Sequence, residues 1–179
     1  YLGSNCIRDI NKVLIKEKII FKKCLIIFDV GVGKKYLNSI KKSLKEKKSY
    51  VFNIKPSEKI KNFNKIKSIL DFLLKNNFTR NDCIISLGGG VVGDMACFVS
   101  SIFKRGMKFI NLPTTLLSQV DASIGGKSGV NHEIYGKNLI GTFYQPDLVV
   151  TDTEVLKNLN KRELICGYAE ILKHSLIND

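Results

Sequence analysis

Several common features are missing from this sequence of 179 residues, and each absence narrows the class of protein. The sequence has no long uncharged apolar run and no charged-then-apolar opening segment, so we expect neither a membrane helix nor a secretory signal. It also lacks internal repeats and low-complexity linkers. Because 44% of its residues are hydrophobic, it can bury one sizeable core. We therefore expect a globular, cytoplasmic protein with no membrane partner.

The cysteines lack the pattern of a disulfide framework or a zinc ribbon. They are odd in number, widely spaced and set in apolar runs: Cys6, Cys24, Cys83, Cys97 and Cys166. We expect reduced, buried thiols, as in a cytosolic protein.

Acidic residues are scarce, with 16 Asp and Glu against 29 Lys and Arg and a formal net charge of +13. This excess indicates either an anionic partner or lysines spread over solvated faces. The densest run, from Lys41 to Lys48, falls in a predicted helix and has no interleaved aromatic residues for base stacking. We therefore expect no nucleic acid partner and keep a basic nucleic-acid-binding module as the alternative.

Short apolar runs alternate with amphipathic segments, which predicts an α/β fold with a doubly wound, mostly parallel sheet. The predicted strands are 24–30, 50–54, 84–87, 109–112 and 148–151, and the predicted helices are 6–16, 36–47, 66–76, the segment after Gly93, and 160–177. Residues 116–124 suggest a short helix, and residues 125–146 read as a long polar loop. We expect a domain of residues 1–155 followed by residues 156–179. Since the sequence starts at Tyr1 rather than Met and stops at Asp179 within an apparent helix, we expect part of a longer protein.

A glycine loop follows the central strand. Gly88, Gly90 and Gly93 fit G-x-G-x-x-G, in which the backbone approaches a pyrophosphate closely at a helix N-terminus. The acidic residue usually found about 20 positions later is missing, and the next strand runs into Pro113-Thr114-Thr115 instead. The alternative interpretation is a tight turn that binds no ligand. We predict a dinucleotide-type phosphate loop that differs from the standard Rossmann pattern.

Several polar residues could serve an anionic ligand or a metal. Arg105, Lys127, Lys137, Asn138 and Lys173 offer donors to a phosphate or carboxylate, although each lysine could equally be a solvated surface residue. Asp94 and Asp121 could act as acid and base, or as a helix cap and a buried hydrogen-bonding group.

Glu170, Lys173 and His174 share one face of a predicted helix. The spacing of Glu170 and His174 suits two ligands of one metal. Judged without any wider comparison, an ion-paired surface is the simpler interpretation of this face.

Seven blocks of sequence, in order and in register, carry a resemblance to a known family. They are Gly88–Asp94, Arg105–Gly106, Pro113–Asp121, Gly125–Lys127, Gly136–Gly141, Tyr144–Pro146 and Ala169–Lys173. Together they resemble the 3-dehydroquinate synthases over roughly residues 83–177, and more loosely from residue 24 onward.

The resemblance implies a Rossmann-like NAD-binding domain followed by the first helix of a C-terminal all-helical domain. It implies a homodimeric enzyme of the shikimate pathway that uses NAD and a divalent metal, usually zinc, with cobalt as the other choice. The implied reaction converts an anionic sugar phosphate, 3-deoxy-D-arabino-heptulosonate 7-phosphate, to 3-dehydroquinate with elimination of phosphate. Two alternatives stay open: a related sugar-phosphate cyclase that makes another carbocycle, and a metal-dependent alcohol dehydrogenase of the same superfamily.

The resemblance also implies roles for individual residues. The implied cofactor-binding residues are Glu58, Lys61, Gly88, Gly89, Gly90, Val91, Val92, Gly93, Asp94, Thr114, Thr115, Lys127, Lys137, Leu156 and Lys157. The implied catalytic and substrate-binding residues are Arg105, Asp121, Lys127, Asn138 and Lys173, with Arg105 reaching the site of a second subunit. Glu170 is implied to be the one metal ligand of this part of the protein.

The sequence departs from the family pattern in three places. Pro56-Ser57-Glu58 stands where Asp-Gly-Glu is usual, and the segment between His132 and Gly136 is one residue longer. The other two metal ligands of the family are histidines of the C-terminal domain, whose positions neither His132 nor His174 matches. We therefore expect this chain alone to bind NAD weakly and to be catalytically inactive.

Overall fold

The chain folds around one five-stranded sheet, seen in a computed structural model that describes residues 1–177. In chain order the strands are β1 (Leu2–Gly3), β2 (Lys23–Asp29), β3 (Lys48–Ile54), β4 (Cys83–Gly88), β5 (Lys108–Pro113), β6 (Lys127–His132), β7 (Gly136–Phe143), β8 (Leu148–Val149) and β9 (Thr151–Asp152). The helices are α1 (Ile10–Lys16), α2 (Lys34–Ser43), α3 (Phe63–Lys75), α4 (Gly90–Ile102) and α5 (Lys161–Ile177). The main sheet has the order β3-β2-β4-β5-β8, and each neighbouring pair is parallel. This confirms the predicted parallel sheet.

Helices cover both faces of the sheet, as the continuous apolar character of its central strands requires. Alternate residues of β2 and β4 point to opposite sides and join two separate cores. One core contains side chains of α1 and α2, and the other contains side chains of α3 and α4. The fold is therefore doubly wound, as predicted.

The strand order creates a topological switch point between β2 and β4. From β2 the chain first adds β3 on one side, and from β4 it continues to β5 on the other. In such sheets ligands bind in the crevice outside the carboxyl ends of the two central strands. Here Asp29 and Gly88 end those strands, so the glycine loop lies at this crevice.

Residues 125–146 do not form the long loop expected from the sequence, which is a correction. Strands β6 and β7 pair there as an antiparallel hairpin, with Lys127 opposite Phe143 and Gly129 opposite Gly141. A side chain at Gly141 would overlap the backbone oxygen of Ser128, so the close approach of the two strands requires glycine. Glycine and exposed polar residues hide the alternating pattern by which strands are recognised.

Several predicted helices have different bounds or geometry. Helix α2, predicted over 36–47, spans Lys34–Ser43. Helix α1 begins at Ile10 instead of residue 6, because the preceding residues bind elsewhere in the fold. The Asp152 carboxylate accepts hydrogen bonds from the backbone N–H groups of Asn5 and Ile7, each at 2.9 Å. The short helix at 116–124 contains a turn of π-helix, Ser118–Ala122.

Helix α5 packs onto this π-helical turn through Gly167. A side chain at Gly167 would overlap Leu116, so the helix approaches the turn closely only with glycine here. The predicted N-cap is confirmed, since Asn160 Oδ1 accepts a hydrogen bond from Glu163 N at 3.0 Å. Among residues 1–177, no helix combines the length and apolar character needed to cross a bilayer.

All five cysteines are free. Four are buried as expected, and burial raises the pKa of both Cys24 and Cys97 to about 11, which keeps them as thiols at neutral pH. Cys166 is a correction, because it lies on the exposed side of α5.

Candidate functional site

A cleft of about 810 Å³ lies over the carboxyl ends of β2 and β4, and we call it the first cleft. Its floor is the glycine loop and the start of α4, and its walls come from the segments after β2, β3 and β5. Sequence-predicted residues that line it are Glu58, Lys61, Gly89, Gly90, Val91, Asp94, Thr114, Thr115 and Asn138. The structure therefore brings residues from distant parts of the sequence to one cavity.

The loop leaves the N-terminus of α4 open to this cleft. Gly89 occupies the N-cap position, and within residues 1–177 no side chain caps the helix there. The N–H groups of the first turn and the positive end of the helix dipole are thus available to an anion. The remaining loop residues lie deeper, because Val92 is buried in the core and Gly93 packs on Asn111.

Asp29 is a site residue that sequence reasoning missed. It ends β2 at the cleft, is 9% exposed, and accepts a hydrogen bond from Gly31 N at 2.7 Å. Burial raises its pKa above the usual 3.8, although the Gly31 hydrogen bond opposes the shift. A buried acid at the carboxyl end of a central strand, followed by Gly31 and Gly33, is a signal that could have identified it.

Lys61, Asp94 and Asn138 form a polar group at the inner wall of the cleft. The buried Lys61 ammonium forms an ion pair with Asp94 and donates to Asn138 Oδ1 at 2.5 Å. Burial raises the pKa of Asp94, and the Lys61 contact opposes this shift. Because Lys61 supplies the compensating charge, Asp94 can stay ionised in a partly buried position.

The segment after β3 joins this wall at the rim. Glu58 accepts two hydrogen bonds from Asn131 Nδ2, at 2.9 Å on its backbone oxygen and 3.0 Å on Oε2. Lys137 lies 3.9 Å from the same carboxylate and is largely exposed. Glu58 therefore lies close to Lys137 and is linked to Lys61 through Asn131.

Thr114 and Thr115 follow β5 on the opposite wall. Thr114 N donates to Gly88 O at 2.9 Å, which ties the two loops together. Thr115 Oγ1 accepts from Ser118 N at 3.1 Å and so caps the next helical turn. Both threonines are held in place by local hydrogen bonds.

A second cleft of about 500 Å³ lies beside the first and shares Asp94 and Asn138 with it. Asp121 and Lys127 also line it, together with residues of the hairpin. Lys127 therefore faces the second cleft and does not line the first. Asp94 and Asn138 therefore form a wall common to the two clefts.

Asp121, Glu170 and His174 converge at the π-helical turn. One possible ligand atom from each lies within 4.8 Å of the others, and His174 Nε2 is 3.6 Å from Asp121 Oδ1 and 3.7 Å from Glu170 Oε1. Lys173 forms an ion pair with Glu170. Two carboxylates and an imidazole are a donor set that suits zinc or cobalt. The sequence revealed the Glu170 and His174 spacing, but not the approach of Asp121.

Nine implied site residues line neither cleft in the described part of the chain: Gly88, Val92, Gly93, Arg105, Lys137, Leu156, Lys157, Glu170 and Lys173. Three of them also lie apart from the contacts described above. Arg105 is in an exposed turn in which Lys104 and Arg105 have positive φ angles of 48° and 66°. Leu156 packs against a core, and Lys157 pairs with Glu154 at 2.9 Å. Their neighbours Val155 and Asn158 line the first cleft.

This arrangement defines a class of protein: a doubly wound α/β fold with a nucleotide-type cleft at its switch point and an adjoining polar cleft. The family described as 3-dehydroquinate synthase N-terminal matches residues 51–166, and the chain belongs to this family. A 3-dehydroquinate synthase from Pelagibacter ubique (strain HTCC1062) is 52% identical over 177 residues, which are 99% of this chain and 48% of that protein. The chain thus spans about half the length of the curated relatives it matches.

Solved structures agree on the fold. A 2-epi-5-epi-valiolone synthase from Streptomyces hygroscopicus subsp. jinggangensis 5008, with NAD+ and Zn2+ bound, has a TM-score of 0.85 and 27% identity. The match covers 97% of this chain and 48% of that one. A 2-deoxy-scyllo-inosose synthase complexed with carbaglucose-6-phosphate, NAD+ and Co2+ has a TM-score of 0.88 at 24% identity, over 96% of this chain and 46% of that one.

Proposed function

We propose that the protein containing this chain is a 3-dehydroquinate synthase, which converts 3-deoxy-D-arabino-heptulosonate 7-phosphate to 3-dehydroquinate and phosphate. The observation that carries the proposal is the shared wall of the two clefts, with a dinucleotide-type loop on one side and Asp121 and Lys127 on the other. Such a reaction needs a cofactor and an anionic substrate held next to each other. The 52% identity to a 3-dehydroquinate synthase supports the choice of substrate.

The first cleft fits NAD. Its glycine loop and the open N-terminus of α4 suit a pyrophosphate, and Gly90 has only Ala122 Cβ at 3.6 Å near the position of an added Cβ. Asp29 at the carboxyl end of β2 is placed to accept hydrogen bonds from ribose hydroxyls. Thr114, Thr115 and Lys61 would line the remainder of the cofactor. When bound, NAD supplies a reversible hydride acceptor.

The second cleft would hold the sugar phosphate. Lys127, together with Lys173 from the neighbouring face of α5, would provide positive charge for phosphate and carboxylate. Asn138 would provide an amide at the wall shared with the cofactor, and Asp121 an acceptor for a hydroxyl proton. In this proposal the carbon to be oxidised would lie near the shared wall, between the two clefts. The net effect on NAD is zero, because the ketone formed by oxidation is reduced again.

Glu170 would hold a divalent metal at the edge of the second cleft. Its carboxylate lies beside Asp121 and His174, and the donor atoms are of types that zinc and cobalt accept. When bound, the metal would supply Lewis-acid polarisation of the hydroxyl oxygen on the carbon that is oxidised. The family pattern places the other two ligands in a C-terminal helical domain, so we propose Glu170 alone as the ligand from this chain.

We further propose that α5 is the first helix of that second domain. The proposal is supported by the exposed apolar side chains of α5. Ile165, Tyr168, Leu172 and Leu176 form an apolar stripe along α5, and all four side chains are exposed. A stripe of this length on one helix is typical of a surface that another element covers.

The test uses the full-length protein with NAD and zinc, and measures release of phosphate and net NADH. We expect phosphate release without accumulation of NADH. Lys127→Ala and Glu170→Gln should each reduce kcat by about 10²-fold or more, since they remove transition-state contacts. The control Lys67→Ala, at an exposed residue of α3 that pairs with Asp71, should match the wild type.

Each alternative gives a distinct result. Cyclisation of another sugar phosphate, with none of the expected substrate consumed, would assign the protein to a sister cyclase. Net NADH production from an alcohol would indicate a dehydrogenase.

A further inference from the structure

Asn131 connects the two clefts through its side chain. It lies near the end of β6, outside the linings of both clefts. Its Nδ2 donates to the backbone oxygen of Glu58 at 2.9 Å and to Glu58 Oε2 at 3.0 Å. Its Oδ1 accepts from Asn138 N at 3.0 Å. One amide group thus holds the rim of the first cleft and a residue of the second.

The backbone of Asn131 adds a third connection. Asn131 N donates to Lys61 O at 2.7 Å, and Lys61 is the buried cation that contacts Asp94 and Asn138. This bond survives any substitution of the side chain except proline. Substitutions of Asn131 can therefore remove the side-chain bonds while the hairpin keeps its attachment to the turn at Lys61.

Asn138 needs this support because its backbone is in a left-handed conformation, with a φ angle of 57°. Such a conformation is uncommon for a residue with a side chain, and it persists where surrounding bonds fix it. The hydrogen bond from Asn138 N to Asn131 is one such bond. It keeps Asn138 Oδ1 at 2.5 Å from Lys61 Nζ on the wall between the clefts.

We propose that Asn131 is a positioning residue that couples occupancy of the first cleft to the geometry of the second. A ligand that contacts Glu58 at the rim of the first cleft would act through Asn131 on the Asn138 backbone. The catalytic meaning of this coupling rests on the proposed function, but the hydrogen-bond connection itself does not.

Two substitutions distinguish the hydrogen bonds of Asn131 to Glu58 from its hydrogen bond to Asn138. Asn131→Ala removes all three side-chain hydrogen bonds. Asn131→Asp keeps an acceptor for Asn138 N, but it loses the donor to Glu58 and places two carboxylates together. The matched control is Asn62→Ala, which removes an asparagine beside the same turn that caps α3 by accepting from Lys65 N at 3.0 Å.

The first measurement is amide hydrogen exchange of the full-length protein without ligand, read on peptides covering residues 136–143. Exchange at these residues should be at least about tenfold faster in Asn131→Ala, because the Asn138 amide loses its acceptor. Asn131→Asp and Asn62→Ala should both resemble the wild type. Unchanged exchange in Asn131→Ala would overturn the proposal, whatever reaction the protein catalyses.

The second measurement is the KM for NAD and for the sugar phosphate, together with kcat. Asn131→Asp should raise the KM for NAD by about tenfold with little change in the KM for the sugar phosphate, and Asn131→Ala should raise both. Equal effects of the two variants on both KM values would overturn the coupling and leave a purely structural role. If the wild type does not turn over this substrate, the proposed function fails, and the exchange experiment still decides the connection.

Discussion

Gly88 and Gly90 belong to one loop, but the surrounding protein restricts them differently. A Cβ atom at Gly88 would lie 2.8 Å from Val92 Cβ and 3.0 Å from Asp29 Cβ. At Gly90 the nearest atom is Ala122 Cβ at 3.6 Å, an ordinary contact. Packing therefore requires glycine at 88, whereas at 90 only a ligand would require it.

This contrast gives a prediction for two alanine variants. Gly88→Ala should lower the free energy of unfolding by about 1–3 kcal/mol because it overpacks the loop. Gly90→Ala should leave stability equal or raise it by about 0.4–1 kcal/mol, since alanine restricts the unfolded chain. It should still weaken NAD binding by about tenfold or more, or about 1.4 kcal/mol, because the methyl group faces the pyrophosphate. Thermal unfolding and calorimetric titration with NAD measure both effects. NAD affinity equal to wild type in Gly90→Ala would contradict the placement of the pyrophosphate.

The raised pKa of Asp29 makes the stability of the protein depend on pH, with a defined sign. Burial raises its folded-state pKa above the usual 3.8, so the folded protein holds this proton more tightly than the unfolded chain. The contribution of Asp29 to stability should therefore fall as pH rises from 3.8 through the raised pKa.

Asp29→Asn removes this titration while keeping an acceptor for Gly31 N. Relative to the wild type, the variant should gain stability as pH rises through that window. It should also bind NAD more weakly at neutral pH. Urea unfolding at several pH values measures the first effect, and a pH-independent difference between the two proteins would rule out the assignment.

Among the elements, α5 depends on a single small residue for its position. Gly167→Ala places a methyl group against Leu116, so α5 must move away from the π-helical turn. That displacement separates Glu170 and His174 from Asp121. We expect Gly167→Ala to lose most phosphate-releasing activity at unchanged NAD affinity, with a stability cost of about 1–3 kcal/mol.

A substitution of Leu116, the residue that contacts Gly167, provides the control. Leu116→Ala makes space for the added methyl group, so the double variant should recover activity beyond the sum of the two single effects. Strict additivity of the two substitutions would indicate that α5 is positioned by other contacts.

The elements also show what the sequence could predict. Continuous apolar runs identified β2 and β4 because burial on both faces leaves a strong signal, and the glycine loop marked the switch point. The hairpin of β6 and β7 was missed because Gly129 and Gly141 pair where side chains would normally alternate. Asp29 could have been identified from its place at the end of an apolar run before Gly31 and Gly33, but its burial is set by distant elements and could not be predicted. Asp121 near Glu170 could not be predicted, since it depends on how α5 packs.

At the scale of the whole molecule, the position of Arg105 bears on assembly. This residue projects from an exposed turn outside both clefts, although the resemblance implies a catalytic role. We propose that the full-length protein is a homodimer in which Arg105 of each subunit reaches the other subunit's site.

Mixing two inactive variants tests this arrangement. Arg105→Ala and Lys127→Ala proteins, unfolded together and refolded, should recover about a quarter of wild-type activity, because half of the dimers then contain one intact site. Mixtures of Lys127→Ala with Glu170→Gln should recover none, since both residues act in the same subunit. Recovery in the second mixture, or none in the first, would contradict the assignment of Arg105.

The binding of Asn5 and Ile7 by Asp152, next to the parallel pairing of β1 with β9, has a consequence for how the protein is made. Asn5 and Ile7 bind the carboxylate of Asp152, and Asn5 is 147 residues away from it in the chain. A ribosome adding 5–20 residues per second needs about 7–30 s to travel that distance. Residues 5–7 therefore wait through this interval for their partner, and during it a chaperone has access to them.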